Sequence, residues 1–436
     1  MSPKERTKVH VRLPRSGLRL DLNTGGASVS QPAVQTPSRF HVFSKVPARV
    51  KWLIYLLAFL TVGNGFTYVM VSAYLPESGV NPGTVGLILG VSGAVFVLTA
   101  IPFGILSDRR GRKWMFLMGT LGLPPALVIF AFTTEVSLLM LAGVIMGISQ
   151  GMFLSTWNAM IADQTTLENR EAAFSLSFVV FTFASGIGSA APLVFPPIMS
   201  ATGMDSVTIH RNALLFFAAF ALISPISLGV LLRDYKEMPK PAHSFIRGKN
   251  TRRMLKFSGL NGLIGLGAGF IIPLIPTWLF LKFGILDNVS GPILAVSSAT
   301  IAIAGVASPG LSRKYGPVRA IVLTQSLSMG FMVSVAFVPD VSLAAGLYII
   351  RAALMNMSSP ISDSYLMSII SPEERGLASA INSIVWRLPN SITTIIGGIL
   401  LENGQLTLPF MIAAGFYVVS IVLLYATFRN VKPDST

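Results

Sequence analysis

The chain has 436 residues and no cysteine, and it is 52% hydrophobic but only 12% charged. Soluble domains carry about 25% charged residues, so this balance excludes an ordinary soluble protein and indicates a chain that lies mostly in lipid. Without cysteine, disulfides and thiolate metal sites are excluded. The formal net charge of +15 would suit a nucleic-acid partner, but its distribution along the chain has another explanation.

Long apolar stretches recur from residue 52 onward, each of about the 20 residues that a helix needs to cross ~30 Å of hydrocarbon. Hydropathy places them at roughly 52–75, 84–106, 114–134, 137–160, 172–195, 212–232, 255–280, 289–308, 318–338, 342–368, 377–400 and 407–428. We number them spans 1 to 12. The sequence therefore predicts an all-α, multi-pass membrane protein with twelve transmembrane helices.

The basic residues favour one side of these spans. If both termini are cytoplasmic, inner segments and the helix ends that adjoin them hold 29 of the 33 Lys and Arg residues. Arg211 and Lys282 fall outside, and Arg351 and Arg387 fall within spans. The positive-inside rule then predicts cytoplasmic termini. We expect the plasma membrane as the location and no nucleic-acid partner.

The two halves of the chain resemble each other at an offset of 205 residues. Gly86 matches Gly291, Gly111 matches Gly316 and Arg170 matches Arg375. This register predicts two pseudo-symmetric six-helix bundles, which can enclose a cavity and rock about it. The predicted domains are a disordered basic cytoplasmic tail (1–48), an N-terminal bundle (49–232), a basic cytoplasmic linker (233–254), a C-terminal bundle (255–428) and a cytoplasmic C-tail (429–436).

After span 2 the sequence reads GILSDRRGRKWMF, residues 104–116. We expect Gly104 to let a neighbouring helix approach closely and Gly111 to permit a tight turn. The alternative is a solvated basic loop. The stretch resembles the signature loop of the major facilitator superfamily, G-x-L-x-D-R-x-G-R-K. The matching residues are Gly104, Leu106, Asp108, Arg109, Gly111, Arg112 and Lys113.

The resemblance implies the fold of that superfamily, with two bundles alternating between inward-open and outward-open states. It also implies that Asp108 docks at the start of span 11, near Leu377, and pairs with Arg112. A carboxylate at a helix N-terminus gains ~0.3–1 kcal/mol. Such a contact would hold the cytoplasmic side shut and break when it opens. In the second half Arg313 stands in place of this acid, so we expect the contact in the first half only. Asp163, after span 4, is expected to form a loop ion pair.

Three ionisable side chains fall well inside predicted spans: Arg351 and Asp363 in span 10, and Arg387 in span 11. A charge at the centre of a span costs roughly 2.5–3.5 kcal/mol on insertion scales. Asp363 and Arg387 fall at similar predicted depth, so an ion pair between them is allowed. Arg387 can snorkel, form a purely structural pair with Asp363, or face a central cavity and bind substrate.

Uncharged polar residues extend the candidate site. Those expected to face inward are Asn64, Tyr68, Asn158, Asn356, Asn382 and Asn390. For each of them, hydrogen bonding between helices is as reasonable as contact with a ligand. Pro273 and Pro276 predict a kink in span 7. The histidines fall in predicted tails or loops, so no metal site and no cofactor is expected; they are His10, His41, His210 and His243.

These observations favour a secondary active transporter that moves a small organic solute by alternating access and is driven by protons. The expected partners are the solute, the bilayer and protons, and the expected state is a monomer. One alternative is an exporter of drugs or lipid-like molecules. However, span 4 has Gly147 where many relatives have arginine, and span 5 lacks the G-P-x-x-G-G ending of drug/proton antiporters. A non-transporting sensor of the same fold is the alternative of another class; an enzyme would need clustered acids or metal ligands.

Overall fold

The computed structural model describes residues 41–235, 251–370 and 375–431. These residues form helices joined by short turns, with no strand among them. Twelve helical segments in this part of the chain are long and apolar enough to cross a bilayer, which confirms the predicted all-α membrane fold. Most of the predicted N-tail and linker (residues 1–40 and 236–250) lies outside the described residues.

The first half contains six spans, several of them built from two helical pieces. Its helices are His41–Ser44; Ala48–Val69, the π-turn Met70–Tyr74 and Leu75–Glu77 (span 1); Pro82–Arg110 (span 2); Arg112–Thr120 and Leu123–Phe132 (span 3); Val136–Asp163 (span 4); Leu167–Ala190, the 3₁₀ turn Ala191–Val194 and Phe195–Thr202 (span 5); and Ser206–Ala221 and Ile223–Leu231 (span 6).

The second half repeats this arrangement. Its helices are Thr251–Gly269, the 3₁₀ turn Ile272–Leu274 and Ile275–Phe283 (span 7); Asp287–Tyr315 (span 8); Pro317–Phe337 (span 9); Val341–Ser368 (span 10); Arg375–Glu402 (span 11); and Leu408–Phe428 (span 12). Because the number of spans is even, Ala48 and Phe428 lie on one side of the molecule. We call it the termini side, and the opposite side the far side.

The two halves turn at corresponding places. Gly111 separates spans 2 and 3 with a φ of +103°, and Gly316, 205 residues later, separates spans 8 and 9 with a φ of +80°. Glycine adopts such angles without the steric penalty that a Cβ brings, so the tight turn predicted at Gly111 is confirmed.

The halves also cross each other at corresponding places. Span 2 meets span 11 where a Cβ at Gly86 would lie only 2.7 Å from the carbonyl oxygen of Thr394. Span 5 meets span 8 where a Cβ at Gly291 would clash with the carbonyl oxygen of Ser189. Gly291 and Thr394 are the residues 205 positions after Gly86 and Ser189. The repeat found in the sequence is therefore the repeat of the packing.

Span 7 breaks where the two prolines predict a kink. The helix ends at Gly269, a 3₁₀ turn follows, and the helix resumes at Ile275. Pro276 has no N–H, so the carbonyl of Ile272 loses its helical donor. The Tyr68 hydroxyl of span 1 lies 3.4 Å from that carbonyl oxygen and donates to the oxygen of Pro273 at 3.1 Å. The kink therefore joins span 7 to the other half.

Spans 5 and 6 differ from their predicted limits. The spans run through Ala172–Thr202 and Ser206–Leu231, which leaves a short connection on the far side. His210 and Arg211 were expected in a loop, but they lie in the helix Ser206–Ala221. The side chain of His210 is buried. The prediction that every histidine lies in a tail or loop is wrong at this position.

Candidate functional site

A cavity of about 420 Å³ lies among spans 7, 9, 10, 11 and 12. Six of the predicted substrate or coupling residues line it: Arg351, Asn356, Asp363, Asn382, Arg387 and Asn390. Serine, glutamine, tyrosine and tryptophan side chains complete much of the wall, among them Gln325, Ser358, Ser362, Ser383, Trp386 and Tyr417. The wall therefore carries many polar side chains although it lies between membrane-spanning helices.

Arg387 lies at the junction of this cavity with a smaller one. The smaller cavity, of about 170 Å³, reaches Phe96 and Gln150 of the first half. The guanidinium of Arg387 stands 4.6 Å from the centre of the Phe96 ring. Its side chain is exposed to these cavities. Within the described residues it has neither a hydrogen bond nor an acidic partner, so its charge is neutralised by none of them.

Asp363 lines the same cavity but does not pair with Arg387: no described basic group lies within 4.0 Å of its carboxylate. The ends of the two helices explain this. Asp363 lies five residues before span 10 ends at Ser368, which is ~7.5 Å along the axis. Arg387 lies twelve residues after span 11 begins at Arg375, ~18 Å along the axis. The carboxylate is thus ~10 Å nearer the termini side.

Arg351 is held more tightly. Its side chain is buried at 4% exposure, and its Nη2 donates a hydrogen bond of 2.9 Å to the hydroxyl of Tyr417. Its Nε has no hydrogen-bond partner in the described part of the chain. The Ser328 hydroxyl of span 9 donates to the backbone oxygen of Arg351 at 3.0 Å. Two neighbouring spans therefore fix this cation, and neither supplies a carboxylate.

The three predicted asparagines of the cavity each have one end of the amide engaged, and a fourth asparagine, Asn261, also lines the wall. Asn382 accepts a hydrogen bond of 3.0 Å from Asn261, Asn390 donates to the carbonyl of Gly265 at 3.0 Å, and Asn356 donates to the carbonyl one turn earlier at 2.9 Å. The opposite end of each amide has no partner among the described residues. In Asn382 and Asn390 both expected roles, bonding between helices and facing the cavity, are present in one side chain, whereas the bond of Asn356 lies within span 10.

The remaining three predicted residues lie elsewhere. Asn64 lines a space of about 40 Å³ in the first half, together with Gln150. Tyr68 donates to the kinked backbone of span 7 at Pro273. Asn158 is exposed and lines none of the cavities described above. The structure therefore does not bring these side chains to the cavity of the second half.

On the far side, side chains join the two halves. Thr277 of span 7 donates a hydrogen bond of 2.5 Å to the carbonyl oxygen of Ser72 in span 1. His210 Nε2 of span 6 lies 3.0 Å from a carboxylate oxygen of Asp287 in span 8, and both side chains are only 4% exposed. The ring of Tyr74 stacks on His210 at 3.8 Å. We call His210, Asp287 and Tyr74 the far-side clasp.

Sequence reasoning missed the far-side clasp. Hydropathy alone begins span 6 after His210, because polar residues surround it in the stretch SVTIHRN. The helix start was nevertheless marked in the sequence, since Asp205 is an N-cap residue whose side chain accepts from the backbone N–H of Thr208. The contact with Asp287, 77 residues away, has no local signal.

The loop after span 2 is held on the termini side. Arg112 forms an ion pair with Asp163 at the end of span 4, and it also donates to the carbonyl of Ala159 at 3.3 Å. Lys113 donates to the carbonyl of Arg233 at 3.2 Å, after span 6. The loop therefore connects the ends of three spans of the first half.

Two predictions for this loop have different outcomes. A Cβ at Gly104 would lie 3.6 Å from Ser155 Cβ, which is an ordinary van der Waals contact, so span 4 packs against this position but does not require a glycine there. The docking of Asp108 near Leu377 stays a prediction, because neither side chain belongs to the described residues. Arg109 is exposed.

Comparison with known proteins agrees with this architecture. The sequence profile of the Major Facilitator Superfamily matches residues 52–258 and 257–436, which is nearly all of the chain after the tail. The multidrug resistance protein MdtG of Proteus mirabilis is 23% identical over 392 residues, covering 87% of this chain and 96% of its own. Multidrug resistance protein 1 of Bacillus subtilis is 25% identical and covers 78% and 87%.

Solved structures show the same fold. A bacterial homologue of the human lysosomal transporter Spinster, in an inward-facing and occupied conformation, superposes with a TM-score of 0.66 at 14% identity and covers 88% of this chain and 96% of its own. The nucleoside transporter NupG, solved as a point mutant, gives 0.67 at 16% identity and covers 87% and 100%. The chain therefore belongs to the Major Facilitator Superfamily of membrane transporters.

Proposed function

We propose that this protein moves a small polar organic solute by alternating access, with the 420 Å³ cavity as the solute site. The observation that carries the proposal is the unused bonding capacity of its wall. Arg387, Asp363 and the cavity ends of three asparagine amides have no partner among the described residues. Unpaired polar groups between spans are expensive, so a polar occupant offsets their cost.

The state described here is closed on the far side. The clasp and the Thr277–Ser72 hydrogen bond join the halves there, and the cavity extends from the kink at Pro273 towards the termini side. The positive-inside distribution of Lys and Arg supports a cytoplasmic termini side in the plasma membrane. In this orientation the cavity serves the cytoplasm, and opening of the clasp exposes it to the outside.

The driving ion is the proton in this proposal, and Asp363 is its carrier. A carboxylate that lines a cavity without a cationic partner can take up a proton and release it when its surroundings change. The far-side clasp contains a second carboxyl group, that of the buried Asp287, but it lies between the halves rather than in the cavity. We therefore assign coupling to Asp363, and we take a single chain as the working unit.

The test is uptake by proteoliposomes under an imposed pH gradient. A defined mixture of organic acids, amino acids, polyols and amines is supplied outside, and each solute inside is quantified by mass spectrometry. We expect at least one solute to accumulate above protein-free liposomes, and to lose its pH dependence in Asp363→Asn. Asp340→Asn, at the exposed start of span 10, is the matched control. Binding without accumulation of any solute would support the sensor instead.

A second candidate function is drug export, which the names of the multidrug resistance relatives favour. The cavity wall offers two arginines and few aromatic rings, so it suits lipophilic cations poorly. Efflux of ethidium from energised cells that express the chain tests this alternative. If ethidium leaves the cells at a rate comparable to that of solute uptake by the proteoliposomes, export of drugs is favoured.

A further inference from the structure

We infer that the transported solute is a monocarboxylate whose negative group is bound by Arg351 and Arg387. The inference rests on the proposed function and names the chemical class of its substrate. Within the described part of the chain, unpaired charge and enclosed space coincide in the cavity of the second half.

The charge of the wall gives the sign of the solute. The charged residues that line the cavity are Arg351, Arg387 and Asp363, which leaves one net positive charge when all three are ionised. The carboxylate does not neutralise Arg387, because it lies ~10 Å nearer the termini side. An arginine cannot shed its charge by deprotonation in a protein, so the excess calls for an anion.

Both arginines keep donors that the described residues do not use. The guanidinium of Arg387 lines the cavity and makes no hydrogen bond to them, and the Nε of Arg351 is buried and has no hydrogen-bond partner among them. Arg351 lies ten residues from the far-side start of span 10, ~15 Å, and Arg387 lies fifteen residues from the far-side end of span 11, ~22 Å. The two arginines thus differ in depth by ~7 Å, and two extended arginine side chains can converge on one carboxylate across this distance. Planar guanidinium groups match a carboxylate in shape and bind it with two parallel hydrogen bonds.

The uncharged polar residues of the wall indicate which other groups the solute carries. The amides of Asn356, Asn382 and Asn390 provide donors and acceptors for hydroxyl or amide groups. The residues 205 positions before Arg351 and Arg387 are Met146 and Thr182, both uncharged, so the positive charge belongs to one half only. A dicarboxylate would exceed the single excess charge. A small hydroxylated or amide-bearing monocarboxylate fits both the charge and the polarity.

The test compares acid, alcohol and amine on the same carbon skeleton. Three such series are lactate, 1,2-propanediol and 1-amino-2-propanol; gluconate, sorbitol and glucamine; and mandelate, 1-phenyl-1,2-ethanediol and 2-amino-1-phenylethanol. Each compound is added to the purified full-length protein, and the thermal unfolding midpoint is measured. We expect the acid of at least one series to raise Tm while its alcohol and amine do not.

The variants locate the binding. Arg387→Gln should lower the affinity for the stabilising acid by about ten-fold or more, because a charge-assisted hydrogen bond is lost. Arg387→Lys should recover part of the affinity. Arg429 lies at the end of span 12, where its guanidinium stands over the ring of Tyr425. Arg429→Gln should therefore leave the affinity for the acid unchanged. The side chain of Arg387 makes no hydrogen bond to the described residues, so Arg387→Gln should fold. The test therefore does not depend on a variant of the buried Arg351, which could fail to fold.

The inference is overturned if no acid stabilises the protein, if an amine or alcohol stabilises it as well as the acid does, or if Arg387→Gln leaves the effect of the acid unchanged. Uptake of the same compounds by proteoliposomes separates this failure from that of the proposed function. Accumulation of a neutral or cationic solute keeps the transporter and refutes the anion site. Stabilisation by an acid without uptake keeps the anion site and refutes transport.

Discussion

The far-side clasp offers the sharpest test of the two-state mechanism. In His210→Phe the ring keeps its stacking partner Tyr74, but Asp287 loses the hydrogen bond of 3.0 Å from Nε2. Because the Asp287 side chain is only 4% exposed, its carboxylate then lacks that partner inside the closed interface. In a state that is open on the far side, water hydrates the same carboxylate. The substitution therefore destabilises the closed state selectively.

The size of the effect follows from the cost of an unsatisfied buried group. Leaving such an acceptor without its donor costs about 1–3 kcal/mol, and this shifts an equilibrium between two states by about 5–150-fold. We expect the population that is open on the far side to increase by a factor in this range, without a comparable loss of folded protein.

The assay uses the absence of native cysteine. Ser290 lies one turn after Asp287, is fully buried, and has a hydroxyl without a hydrogen-bond partner among the described residues, so Ser290→Cys perturbs little. A membrane-impermeant maleimide applied from the far side labels this cysteine only when the halves separate. His210→Phe should accelerate labelling by the factor given above. Asp340→Ala, which removes the cap of the Leu343 N–H within a single half, should not accelerate it. Equal labelling rates in all three proteins would refute the reasoning.

Three further outcomes are expected. Gly86→Leu should also open the far side, because its side chain meets the backbone of span 11, whereas Gly346→Leu has open space and should not; maleimide labelling distinguishes them. Tyr417→Phe leaves an N–H of buried Arg351 without its partner and should lower stability by about 1–3 kcal/mol, measured as a reduced Tm in detergent. Asp108→Asn should slow transport in proteoliposomes while solute affinity changes less; aggregation of the variant would indicate a structural role instead.

Much of the cavity was predictable because intramembrane charge has few explanations. A charged side chain in the middle of an apolar stretch is costly in lipid, and this made Arg351, Asp363 and Arg387 candidates for inward surfaces, with snorkelling of Arg387 as an alternative. The offset of 205 residues was visible because turns and helix crossings constrain glycine strongly, as at Gly86 and Gly111. These are local requirements, and sequence records them locally.

The partners of these residues were not predictable. The depth of Asp363 relative to Arg387 depends on where two helices begin and end, and hydropathy locates such ends only within a few residues. The Tyr417 partner of Arg351 and the pairing of His210 with Asp287 join distant parts of the chain. Such contacts are set by packing of the whole bundle, and a single sequence carries no record of them.

The ring of Phe96 over Arg387 has a mechanical consequence. The ring belongs to span 2 and the guanidinium to span 11, so one half provides the lid for a charge that the other half carries. In the proposed mechanism, rocking of the bundles moves this ring, which changes the hydration of the guanidinium and its affinity for the proposed anion. The proposed affinity for the anion and the opening of the two halves are thus coupled through one contact, that between Phe96 and Arg387.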